Sequence, residues 1–226
     1  MFFYKILYWL ICLIFKPQAE VRGLENLPKN RGFILAANHE NAYDPLVIAG
    51  LLKKFIWQNL LPKKKKVYFL ANPGLKTNVM KYSLVSLAIN LFQEKMGYLP
   101  ANILGLRRAI NLLKEGNAIV VFPEGHRNPK KYLLKGRKGV AVMALAAKTP
   151  VIPAGCFGPP ARTIRQFLKG LFQKKKVIFG PGLCLPSCQP DARGRFNGIL
   201  LRQVTDSIMM AIARITSKYY QPEKSI

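Results

Sequence analysis

Apolar positions in this chain fall into short runs separated by polar breaks, and two periods can be told apart. Runs near 18–22, 32–37, 66–71, 86–92, 118–122, 151–155 and 176–180 are too short for helices, which predicts strands. Between many of them the spacing is helical. The clearest helix is 102–115, opened by Asn102 as its cap and closed by Gly116 and Asn117. Others are expected at 137–148 and about 198–218, with a short apolar one at 46–52 that has Pro45 at its first position. Strands alternating with helices predict an α/β fold, a single domain over 17–226 with a mixed, largely parallel sheet flanked by helices. In such sheets the loops at the strand ends carry the site.

Residues 1–15 are apolar except for Lys5 and rich in aromatic side chains. As a helix they would span only about 22 Å, against roughly 30 Å for the hydrocarbon core of a bilayer. No convincing small-residue cleavage site follows, so a signal peptide is the weaker reading. The expectation is a membrane-associating helix over 1–16, interfacial or half inserted. Tyr4, Tyr8 and Trp9 would then sit at the headgroup boundary, with Lys5 and Lys16 on phosphates. A helix buried in the domain is the alternative.

Charge narrows the partner. The chain of 226 residues, enough for one well-filled domain, carries 36 Lys and Arg against 10 Asp and Glu, a formal net charge of +26. No carboxylate occurs between Asp44 and Glu94 or between Gly125 and Pro190. Such a field suits nucleic acid, an anionic membrane surface or a phosphorylated small molecule. The chain has no nucleic-acid-binding motif and an N-terminus better suited to lipid, so nucleic acid is not expected. The lysine runs 63–66 and 174–176 are either solvated loops or a second membrane signal. Near an anionic leaflet each basic side chain is worth about 1 kcal/mol. Cys12, Cys156, Cys184 and Cys188 are irregularly spaced, which gives no disulfide framework and suggests a reducing compartment.

Chemistry is expected first in the connection between the strand at 32–37 and the helix after it. This holds His39, one of two histidines, with Glu40 and Asp44 among only 10 carboxylates. On an unbroken helix His39 and Asp44 would diverge by about 140°, so they meet only if the chain bends between them. Pro45 favours a bend by disfavouring helical geometry at Asp44. A carboxylate on one imidazole nitrogen fixes the tautomer and leaves the other nitrogen to take a proton from a hydroxyl. The alternative is that Asp44 only caps the helix. A second polar cluster follows the strand at 118–122. There Gly125 permits close backbone approach, Arg127 offers a planar fork for phosphate, and Glu124 can orient a hydroxyl or that arginine; a tight turn with a surface ion pair is the other reading. No G-x-S-x-G elbow is present, the stretch from Asn72 to Thr77 lacks the Gly-Lys pair of a phosphate loop, and two histidines with scattered acids offer no catalytic metal set.

Asn38-His39-x-x-x-x-Asp44-Pro45 and Phe122-Pro123-Glu124-Gly125-x-Arg127, in that order, resemble the first and third signature blocks of the glycerolipid acyltransferases, in particular the 1-acylglycerol-3-phosphate acyltransferases. Residues 138–146 and Pro150-Val151-Ile152-Pro153 resemble the family's helix and fourth block, and the resemblance spans roughly 20–185. It implies transfer of an acyl group from acyl-CoA or acyl-carrier protein to the sn-2 hydroxyl of lysophosphatidic acid, with no cofactor, metal or acyl-enzyme. The place implied is the cytoplasmic face of a membrane. His39 would be the base and Asp44 its orienter; Glu124, Gly125 and Arg127 would hold the glycerophosphate, and Pro150, Val151, Ile152 and Pro153 would lie on the acyl-donor side. The chain departs from the pattern at His126 and Asn128, where the family usually has Thr and Ser. Its second block, near 88–95, has Lys95 where an acceptor-binding arginine is usual. Another lysolipid acceptor, or a lipid- or polyanion-binding protein without turnover, are the alternatives.

Overall fold

A computed structural model describes residues 19–41, 43–59, 65–71, 97–159, 163–171 and 173–222. The expected N-terminal helix, the expected strand at 86–92 and Lys95 lie outside the described residues. In chain order come β1 (Ala19–Arg22), a 3-10 turn (Leu24–Asn26), β2 (Phe33–Ala37), α1 (Asp44–Asn59), β3 (Val67–Ala71), β4 (Tyr98–Pro100) and α2 (Ile103–Lys114). They are followed by β5 (Ala118–Val121), α3 (Gly139–Ala147), β6 (Val151–Phe157), α4 (Ile164–Leu171), β7 (Lys175–Phe179) and α5 (Gly198–Thr216).

The seven strands form one sheet in the order β1-β7-β6-β2-β5-β3-β4. Every neighbouring pair is parallel except β6 and β7, so the sheet is mixed and largely parallel. Its central strands are apolar throughout because both faces are covered. Alternation sorts β2 accordingly. Ile34 and Ala36 face a core built with Ala109 and Leu113 of α2, Val140 and Met143 of α3 and Ile208 and Ile212 of α5. Phe33, Leu35 and Ala37 face the opposite core, with Val47, Ile48 and Leu52 of α1.

Helix ends follow their sequence signals. Asn102 caps α2, its side chain accepting from Gly105 N–H at 2.8 Å. Asn197 caps α5 in the same manner, accepting from Ile199 N–H at 2.8 Å. Two elements, β4 and α4, have no counterpart among the expected ones, and α1 continues well past residue 52 to Asn59. The lysine run 174–176 is also not a simple surface patch. Lys174 faces solvent, but strand alternation turns Lys175 inward, where its Nζ donates to Gly170 O at 2.7 Å and Gln173 O at 3.0 Å and lies 5.1 Å over the Tyr43 ring. Burial lowers the pKa of this ammonium.

Topology places the functional loops. After β2 the chain passes β5 to reach β3, whereas after β5 it passes β2 in the other direction to reach β6. Connections leaving adjacent parallel strands in opposite senses open a crevice at their carboxyl ends. Ala36 pairs with Val121, so His39 and Glu124 emerge side by side there.

Candidate active site

The first loop is bent as the His39–Asp44 spacing requires, although the bend sits upstream of where Pro45 would place it. Helix α1 begins at Asp44 itself. Asp44 Oδ2 accepts from the backbone N–H groups of Glu40 at 2.8 Å and Asn41 at 2.7 Å, closing the turn, and lies 3.2 Å from His39 Nδ1. A carboxylate oxygen engaged by two N–H donors has no proton to offer, so the proton of the third contact belongs to Nδ1, and in the neutral imidazole the lone pair is then on Nε2. His39 is 17% exposed and Asp44 3%. The imidazole stacks on Phe122, centroids 4.2 Å apart and planes at 23°, which holds one face of the ring. The oxygen that closes this turn is thus also the one that orients the imidazole, and its N–H partners precede α1, so it is not a cap of that helix.

Asn38, immediately before the histidine, secures the end of β2. Its Nδ2 donates to Cys156 O at 3.0 Å and its Oδ1 accepts from Cys156 N–H at 2.7 Å. Burial, with the charges of Asp44 and Glu40, pushes the Cys156 thiol well up, so it is no candidate nucleophile.

Glu124 stands elsewhere than a substrate ligand would. It is buried, and both oxygens are used internally: Oε2 accepts from Asn128 Nδ2 at 2.7 Å and Leu134 N–H at 2.9 Å, and Oε1 from His39 N–H at 3.5 Å. Burial pushes this carboxyl above its ordinary range, opposed by those hydrogen bonds and by the charge of Lys218. Asn128 N–H in turn donates to His39 O at 2.6 Å, so each loop holds the other. Asn128 also answers why an amide stands where a hydroxyl is usual. Its two Nδ2 protons serve Glu124 and Tyr132 O, the latter at 2.6 Å, and a serine has one.

Gly125 has φ 73°, and a Cβ there would collide with Arg137 Nε, so the close approach that glycine permits is made by this arginine. Arg137 is anchored by its N–H to Pro123 O at 2.8 Å. Arg137 thus lies against the turn that carries Arg127, and both arginines are exposed. Val151 and Ile152, by contrast, are buried sheet residues paired with Ile34 and Leu35, upstream of His39. The structure does not bring them to the two loops; the far end of β6, at Cys156, reaches the site. His126 is exposed. Among the described residues no metal-binding group of three or more His, Cys, Asp or Glu forms.

Phe122 opens the second quoted motif but has no role assigned there, and Arg137 and Lys218 have no local sequence signal as site residues. Arg137 and Lys218 are two of 36 basic residues, and only the fold singles them out.

Comparison with known proteins gives the class, an acyltransferase. The family model described as Acyltransferase matches residues 18–156, more than half the chain, and the chain belongs to this family. It is 26% identical over 222 residues to the 1-acyl-sn-glycerol-3-phosphate acyltransferase of Pseudomonas aeruginosa, covering 96% of this chain and 79% of that one. To the Bacillus subtilis protein of the same name it is 29% identical over 175 residues, covering 76% and 77%. Among solved structures, the 1-acyl-sn-glycerophosphate acyltransferase PlsC of Thermotoga maritima superposes with a TM-score of 0.50 at 22% identity, covering 92% of this chain and 80% of that one, and thus shares the fold.

Proposed function

We propose that this protein moves a fatty acyl group from a thioester, acyl-CoA or acyl-carrier protein, to the sn-2 hydroxyl of lysophosphatidic acid, giving phosphatidic acid for phospholipid synthesis. The observation that carries the chemistry is the 3.2 Å contact of His39 Nδ1 with Asp44, which leaves Nε2 as a base. Nε2 takes the hydroxyl proton as the oxygen attacks the thioester carbon. The C–S bond breaks, and the imidazolium returns its proton to the departing thiolate. Asp44 stabilises the imidazolium between these steps. The names of the relatives from Pseudomonas and Bacillus support this acceptor.

The acceptor's phosphate falls to Arg127, with Arg137 beside it across Gly125; Lys95 is a further cation for this end. Pro150, Val151, Ile152 and Pro153 act on the donor side only indirectly, by fixing the strand whose far end reaches the site. Arg127→Ala and Arg137→Ala should each raise KM for lysophosphatidic acid about tenfold or more with kcat little changed, as lost charge-assisted phosphate contacts do. Steady-state kinetics checks this; a fall in kcat at constant KM would remove both from phosphate binding. The assignment as a whole is tested by acyl transfer from radiolabelled acyl-CoA and acyl-carrier protein to lysophosphatidic acid and to other lysolipids. Absence of labelled phosphatidic acid with both donors overturns it.

Membrane attachment is proposed at two places. Residues 1–16 supply an apolar aromatic segment. The first turn of α2 exposes Ile103 (71%) and Leu104 (72%), next to Arg107 and Arg108, a combination suited to an anionic lipid surface. No described helix is long and apolar enough to cross a membrane. Deleting 1–16 should weaken binding to anionic liposomes and leave a remainder that high salt releases, since salt screens exposed charge. Flotation assays read this, and a truncated protein still bound at high salt would refute it.

A further inference from the structure

The segment after α5 lies against the active site. Ser217 takes the left-handed conformation at φ 54°, ending the helix, and the chain then runs beside the second catalytic loop. Tyr219 pairs with Tyr132 in a parallel bridge, Leu133 N–H donating to Tyr219 O at 2.8 Å and Tyr219 N–H to Lys131 O at 3.2 Å. This holds Lys218, only 11% exposed, in one direction. Its Nζ is 2.7 Å from Glu40 Oε1 and donates to Lys130 O at 2.6 Å and Asn128 O at 3.4 Å, occupying its three protons. Glu40, 18% exposed, also accepts from Asn38 Nδ2 at 3.1 Å, and its backbone N–H donates to Asp44.

One ammonium thus fastens the residue next to His39 and the loop that carries Glu124. Among the described residues no other cation pairs with Glu40, and a nearly buried carboxylate without a partner leaves the turn rather than remain unpaired. We infer that Lys218, far beyond the 18–156 stretch that matches the family model, is a positioning residue for acyl transfer. It acts through Glu40 to hold His39 and Asp44 against the second loop. The inference rests on the acyltransferase reading above.

The test uses the full chain and the variants Lys218→Met, Lys218→Arg, Glu40→Gln and the double Glu40→Gln/Lys218→Met. Lys218→Met should lower kcat about 10–10²-fold, the cost of a small misplacement of reacting groups, with KM for lysophosphatidic acid nearly unchanged. Lys218→Arg, which can still reach the carboxylate, should recover most of the loss. The double variant should be no worse than Lys218→Met. Without substrate, the imidazole ¹⁵N signal of His39 should shift in Lys218→Met but not in Lys218→Arg; the chain has two histidines, so His126→Gln assigns it. Unchanged kcat per folded molecule with an unshifted His39 signal, or losses that simply add in the double variant, overturn the inference. If the wild-type protein transfers nothing to lysophosphatidic acid, the acceptor assignment fails, while the His39 signal still decides the role of Lys218.

Discussion

Replacing His39 by Ala is expected to lower the acyl-transfer rate by about 10²–10⁴-fold, the usual contribution of a positioned general base, with binding of the lysolipid little changed. The loop should survive the substitution because its other ties do not use the imidazole: Asn128 N–H to His39 O, and the N–H groups of Glu40 and Asn41 to the Asp44 carboxylate. What is lost is the ring on Phe122 and the Nε2 lone pair. Asp44→Asn should also slow the reaction and cost stability. Its amide can accept from the backbone through one oxygen but cannot stabilise the imidazolium, and it favours the wrong tautomer. Kinetic constants for both variants, with circular dichroism to establish folding, give the answer. Turnover near normal in His39→Ala would sink the mechanism and with it the role of Asp44.

How much of this was legible beforehand depends on whether the signal is local. The apolar runs of β2, β5 and β6, the Asn102 cap and the α/β alternation are periodic or adjacent features, and each is found in the structure. The His39–Asp44 contact was legible as a pair, but its turn was misplaced. The sequence shows the proline, not that the Asp44 carboxylate itself gathers the N–H groups of Glu40 and Asn41. Helix α4 went unseen because its pattern is short and broken by basic residues, and β4 because three residues carry no period. The inward turn of Lys175 needs the pairing of β7 with β1 and β6, which composition cannot supply. Lys218 and Arg137 illustrate the same limit at the site. In a chain this basic, a lysine's meaning lies in what the fold lays beside it.

Glu124 offers the sharpest division between a residue that touches substrate and one that shapes the site. Glu124→Gln keeps the volume and removes the charge, yet leaves a single acceptor oxygen where two are in use. With that oxygen in the place of Oε2, Asn128 and Leu134 are served and the amide's own N–H groups meet His39 N–H. With the amide reversed, the two shorter hydrogen bonds, at 2.7 and 2.9 Å, are lost instead. Either way a buried donor goes unpaired, at a cost of about 1–3 kcal/mol each. The expected result is a lower melting temperature together with a fall in kcat of about 10–10²-fold, because the two loops lose their common acceptor and His39 drifts from its mark. KM for lysophosphatidic acid should move little. Thermal unfolding and steady-state kinetics on the same preparation separate the two roles: a raised KM with unchanged stability would return Glu124 to the acceptor's binding site and break the account of it as the joint between the loops.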